Sequence, residues 1–218
     1  MKTTIRMKFT KTGRAKYISH LDLMRCFQRC IRRAELPIAY SEGFHPHMQI
    51  VFAAALSLGF ESDYEVIELG LSEELPFEEV RSRMQAVLPE GIDISSCYAP
   101  KHKMGQIAYA EYEVALGCDD ADKLLMQWKE FVSQDKIVVE KKTKRGFREI
   151  DLKELTECLS EKTSENALVL NLRLPAGSTV NVNPSLLIDE FGKREQVSFD
   201  FPKYCRKKLL CTEKTEFF

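Results

Sequence analysis

The sequence predicts an α+β protein built from two ferredoxin-like (βαββαβ) units in tandem, with antiparallel sheets and helices on one face. Three observations predict it. Over roughly the first hundred residues the elements read strand, helix, strand, strand, helix, strand. A similar order begins again after the segment Ala99–Gly105, which reads as a linker. The chain has 218 residues, 44% of them hydrophobic and 30% charged, which suits two small folded domains rather than a disordered chain. The expected domains are residues 1–100, a unit carrying a basic helix and a histidine loop, and 106–218, a second unit with an extra strand or two.

In the first unit, Thr3–Phe9 alternates as a strand, and Lys11–Lys16 is a basic loop containing Gly13. Ser19 is placed to cap a helix, with Asp22 three residues on as a variant capping box. That helix is expected over His20–Glu35, because Pro37 disfavours helix just ahead of it. A long loop, Leu36–His47, leads to an apolar run, Met48–Leu58, expected as a buried strand. A turn at Leu58-Gly59, a strand over Tyr64–Leu71, a helix over Pro76–Leu88 and a strand over Ile92–Tyr98 complete the unit.

In the second unit, strands are expected over Tyr109–Leu116, Ala167–Leu174 and Val197–Phe201. Helices are expected over Ala121–Val132, which holds Trp128, and from Asn183-Pro184 through Phe191. A hairpin is expected over Ile137–Lys142 and Phe147–Leu152. The last few residues are expected to fray.

Composition narrows the function classes. The start, MKTTIRMKFTKTGR, lacks the apolar run and small-residue cleavage site of a secretory signal. No stretch approaches the ~18 apolar residues of a membrane span. The seven cysteines are odd in number and scattered, a pattern of free thiols in a reducing compartment, so a cytoplasmic location is expected. Residues 1–50 hold ten Lys/Arg against three acids, a local +7 that leaves −8 on the remaining 168 residues. Such asymmetry favours a local attraction for polyanions.

On the first helix, Leu23, Met24, Phe27, Cys30, Ile31 and Ala34 fall on one arc, which should pack on the sheet. Arg25, Arg29, Arg32 and Arg33 fall on the opposite side with Asp22. Guanidiniums bind phosphate bidentately, so this face, with Lys11, Arg14 and Lys16 before it, is the candidate RNA-binding surface. Lys141, Lys142, Lys144, Arg145 and Arg148, and then Arg206, Lys207 and Lys208, are two further basic clusters. With the first helix they are expected to line a groove between the halves.

The segment Ser41-Glu42-Gly43-Phe44-His45-Pro46-His47 follows Tyr40 and is the most unusual in the chain. Gly43 permits a tight turn, and Phe44 is either a core plug or a base-stacking platform. His45 and His47 point the same way if extended, which is half of a metal site for His20, Asp22 or Glu42 to complete. Other readings are a loop that contacts nucleic acid or a partner, a purely structural loop, and an acid–base role for His47. His20 and His47 meet only if the loop folds back along a helix of about 24 Å. Candidate catalytic residues are therefore His20, His47 and Asp22, with no metal assigned.

Two long segments carry a family resemblance. They are Tyr17–Arg25 (YISHLDLMR) and Arg33–His47 (RAELPIAYSEGFHPH), supported by Leu56–Ser62, Leu88–Ile92, Asp151 and Asn183-Pro184. They resemble the radical SAM-linked proteins, a bacterial family of unknown function found fused to or beside cobalamin-binding radical S-adenosylmethionine proteins. The resemblance implies an accessory role with a radical SAM protein as partner. The partner is expected to hold an iron–sulfur cluster, S-adenosylmethionine and cobalamin. It implies no cofactor in this chain, which lacks the three closely spaced cysteines of a radical SAM cluster. It also makes His47 a better ligand candidate than His45, where the family pattern often has Asn. The expected function is RNA binding, to transfer or ribosomal RNA, in support of that partner. The alternatives are an RNA-processing or RNA-modifying enzyme using His20 and His47, and a protein-only adaptor. A fold-level likeness to CRISPR RNA-processing endonucleases transfers no activity.

Overall fold

A computed structural model describes residues 3–143 and 146–218, with the main chain alone for Lys142 and Thr143. Among the described residues the protein is a mixed α+β chain with mostly antiparallel strands and five α-helices. It divides into two compact units, Met1–Ile107 with Glu216–Phe218, and Ala108–Thr215. Among the described residues no helix is long and apolar enough to cross a membrane.

The first unit runs β1 (Thr3–Lys11), α1 (His20–Arg33), β2 (Ile50–Phe52), β3 (Glu61–Leu71), α2 (Phe77–Gln85) and β4 (Ile92–Tyr98). Its strands lie in the order β4-β1-β3-β2, and each neighbouring pair is antiparallel. Strand geometry sends alternate residues of β1 to opposite faces. Ile5, Met7 and Phe9 join Leu23, Phe27, Cys30 and Ile31 of α1 and Val80 and Met84 of α2 in one core, so both helices pack on the same face. The Phe27 ring lies tilted against Phe9 at 4.9 Å and edge-on to Phe52 at 5.4 Å between centroids.

The opposite face of β1 carries Arg6, which is only 1% exposed. Its guanidinium donates to its cross-strand partner Glu68 at 2.9 and 3.0 Å, to the Phe218 main-chain oxygen at 2.7 Å, and to the His102 carbonyl. Phe217 is fully buried under it, with the guanidinium carbon 4.7 Å from the ring centroid. Tyr64 donates its hydroxyl to the Phe217 carbonyl at 2.7 Å. The chain end therefore does not fray: a buried guanidinium needs acceptors, and the last residues supply them. The expected linker is likewise ordered in this unit, where the Lys101 and His102 amides donate to the Phe218 oxygen.

Two more expectations are corrected here. The Met48–Leu58 run is a strand only over Ile50–Phe52. Beyond Ala53, whose amide still bonds to Val66, the chain turns away until the Gly59 amide meets the Lys16 carbonyl. Leu56 and Phe60 bury their side chains from this irregular segment, which accounts for the apolar composition without a strand. The second correction is to the expected 11–16 loop. Lys11 ends β1, and a 3-10 turn covers Gly13–Tyr17.

The second unit runs β5 (Ile107–Gly117), α3 (Ala121–Ser133), β6 (Val138–Thr143), β7 (Gly146–Asp151), α4 (Leu152–Leu155), β8 (Glu157–Ser164), β9 (Ala167–Pro175), α5 (Pro184–Arg194) and β10 (Asp200–Cys211). Its sheet order is β10-β5-β9-β8, with β6 and β7 as a separate hairpin. Trp128, Phe131 and Phe191 form its aromatic centre, with Trp128 edge-on to Phe191 at 5.3 Å. β8 (ECLSEKTS) was not expected, because it has no apolar alternation and is mostly exposed. The last strand lies later than the expected Val197–Phe201. Its sequence, DFPKYCRKKLLC, is charged, and main-chain pairing sets it.

Candidate nucleic-acid interface

Helix α1 builds the site from both ends. Ser19 accepts the Asp22 amide at 3.2 Å and donates its hydroxyl to the Asp22 carboxylate at 2.7 Å, fixing the first turn. At the other end the Leu36 amide reaches back to the Ile31 carbonyl at 3.3 Å, with Glu35 at φ 52°. This is the left-handed exit of a Schellman-type cap, occupied here by a non-glycine residue.

Between these caps, one flank of α1 borders a pocket of about 370 Å³. Asp22, Arg25, Cys26, Arg29, Cys30 and Arg33 line it, and Val87 and Pro89 from the α2–β4 connection close it. Arg25 is paired with Asp22 at 3.0 Å. Arg29, Arg32 and Arg33 are exposed and make no hydrogen bond or ion pair among the described residues. Arg32 falls outside the pocket, because 100° per residue turns it about 20° beyond Arg25, away from Cys26 and Cys30. Cys30 donates to the Val87 carbonyl at 3.3 Å, and burial, then the neighbouring Cys26, push its thiol up to about 11. The Ser19 hydroxyl, then Arg25, hold the Asp22 carboxyl below its ordinary value.

The residues before α1 divide. Arg14 is exposed, and Lys16 pairs with Glu61 at 3.2 Å. Lys11 is not part of any RNA surface: it is 1% exposed, and its ammonium donates to the Ile18 carbonyl at 2.8 Å and the Lys16 carbonyl at 3.3 Å. Those bonds tie the end of β1 to the turn that enters α1.

The 41–47 loop is closed at its base. Tyr40 bridges Met48, and the Ser41 amide donates to the His47 carbonyl at 2.9 Å. The Ser41 hydroxyl accepts the His47 amide at 3.1 Å and meets the His47 Nδ1 at 2.7 Å. Gly43 takes φ 118°, and Glu42, Phe44 and His45 project into solvent, Phe44 wholly so. His20 instead lies edge-on to Phe52 at 5.4 Å. Neither a hydrogen bond nor a ring contact joins His20, Asp22 and His47 to one another among the described residues. Among the described residues no three His, Cys, Asp or Glu side chains group as metal ligands.

The loop also stands apart from the arginines. It enters β2, the last strand in the order β4-β1-β3-β2, whereas the pocket closes on the segment leading into β4 at the other edge. Phe44 does not line the arginine pocket. Helical periodicity located the arginines; the partners Val87 and Pro89, distant in sequence, left no local signal. Of the other basic clusters, Arg206 is buried at 1% exposed, which removes it from any exposed groove. Lys141 donates to the Asn181 carbonyl and Arg148 is exposed. Lys144 and Arg145 lie outside the described residues.

A family model matches residues 4–184, spanning α1, the pocket and the 41–47 loop. The chain belongs to that family. It is described as an uncharacterized protein conserved in bacteria (DUF2344). No curated protein matches. Among solved structures, the chain is similar to an unknown protein from Galdieria sulphuraria, at 12% identity and a TM-score of 0.29, covering 94% of this chain and 99% of that one.

Proposed function

We propose that this protein is a cytoplasmic RNA-binding accessory protein that serves a radical S-adenosylmethionine enzyme. The observation that carries the RNA reading is the flank of α1, where Arg29, Arg32 and Arg33 stand exposed and make no ion pair among the described residues. Guanidiniums without an ion pair on a capped helix leave their donors open to phosphate oxygens. The sequence segments 17–25 and 33–47 support the radical SAM partnership through their resemblance. The cluster, S-adenosylmethionine and cobalamin then belong to the partner. Seven free thiols support the reducing compartment.

We read each unit as ferredoxin-like: the orders β4-β1-β3-β2 and β10-β5-β9-β8 are the same order of first, second, third and fourth strands, once the β6–β7 hairpin is counted as an insertion. The 41–47 loop, none of whose residues lines the arginine pocket, is free to meet the partner protein while α1 holds RNA.

The test is RNA binding measured across salt. Each phosphate contact contributes about −0.7 to the slope of log K against log salt for a single strand. Replacing Arg29, Arg32 and Arg33 with Gln should therefore flatten the slope by about 2 and remove most affinity. Unchanged binding by the triple variant sinks the RNA reading. Co-purification of a radical SAM protein from native cells tests the partnership separately.

A further inference from the structure

From the shape and charge of the α1 pocket we infer that it is a receptor for a terminal phosphate, the phosphate monoester of a nucleotide-sized ligand such as the 5′ end of an RNA. The inference deepens the RNA reading, which supplies the ligand's source, while the pocket's chemistry stands on the residues themselves.

Charge selects a monoester. The lining holds three guanidiniums and one carboxylate, a net of +2, and Asp22 is already engaged with Arg25. Arg29 and Arg33 are left to meet the ligand. They sit one turn apart, with Cβ atoms about 5–6 Å from each other. A monoester phosphate carries close to two negative charges at neutral pH and three acceptor oxygens, enough for a bidentate bond to each guanidinium. An internal phosphodiester has one charge and two such oxygens, and satisfies half of the array.

The rest of the lining fits the body of a nucleotide. Cys26, Cys30, Val87 and Pro89 form an apolar wall beside the arginines. Cys30 stays a neutral thiol, bonded to the Val87 carbonyl, so it adds no repelling charge. The volume of about 370 Å³ falls within the range of small-ligand pockets and holds one nucleotide unit, not a strand.

The experiment uses the full chain and a short single-stranded RNA bearing either a 5′-phosphate or a 5′-hydroxyl, with adenosine 5′-monophosphate as a third probe. The phosphorylated RNA should bind about tenfold tighter than the hydroxyl form. Arg29→Gln and Arg33→Gln, both on an exposed face, should abolish that preference. Bound phosphorylated RNA should also shield Cys26 from alkylation, as mapped by mass spectrometry. Equal binding of the two RNAs with Cys26 unshielded overturns the pocket and leaves the arginine surface as a general RNA contact. Arginine-dependent binding of the mononucleotide, with no binding of either RNA, upholds the pocket and overturns the RNA reading. Binding of none of the three overturns both.

Discussion

Replacing Arg6 with Met should destabilise the first unit by about 3 kcal/mol. Met keeps most of the aliphatic length and removes the charge. The guanidinium is 1% exposed and holds Glu68, the His102 carbonyl and the Phe218 oxygen together over the Phe217 ring. Removing one partner of a buried ion pair costs about 3–5 kcal/mol, because the other charge is left without compensation. The low end applies, since the Glu68 side chain is 26% exposed and recovers some hydration. The assay is hydrogen exchange resolved to peptides. A loss of about 3 kcal/mol raises exchange roughly a hundredfold in amides that open with the unit, those of β1 and of residues 214–218 included. Glu68→Gln should cost less, because the guanidinium keeps two main-chain acceptors. A loss below about 1 kcal/mol in Arg6→Met would falsify the claim that this side chain anchors the chain end.

Three other outcomes follow from local geometry. Phe27→Ala should cost about 3–5 kcal/mol in a denaturant melt, since the ring is fully buried between Phe9 and Phe52; a cost near zero would mean α1 does not pack there. Gly91→Ala should cost at least about 1 kcal/mol, read as a lowered melting temperature, because Gly91 sits at φ 84° and a Cβ would run into the Thr12 carbonyl oxygen. Ser19→Ala should cost about 1 kcal/mol through the lost cap and move the Asp22 carboxyl up toward its ordinary 3.8, read by NMR titration. The lowered Asp22 value also sets a direction with pH. Its contribution is full above 3.8 and is lost as pH falls through the depressed folded value, so the α1 first turn should fray in acid.

Much of α1 was legible in the chain itself. The Ser19 cap, the buried arc of Leu23, Phe27, Cys30 and Ile31, and the opposed arginines follow from helical periodicity and local hydrogen bonding, which involve residues three or four apart. β4 was legible from its alternation, and the start of α5 from the Asn183 cap and the Pro184 that follows it. Where the reading failed, a distant partner had decided the matter. β8 carries a polar sequence and β10 a charged middle, and both are strands because neighbouring strands satisfy their main chains.

The sequence by itself determined the local alphabet of this protein: its caps, its amphipathic faces and the excess of positive charge near its start. Tertiary structure decided which of those charges reach solvent. Arg6 and Lys11 look like Arg29 and Arg33 in composition, yet the first two are sealed among main-chain carbonyls, and Glu68 in the case of Arg6, while the last two are left open beside Val87 and Pro89. A charge may be buried only where acceptors from elsewhere in the chain surround it, and no stretch of sequence states where those acceptors will be.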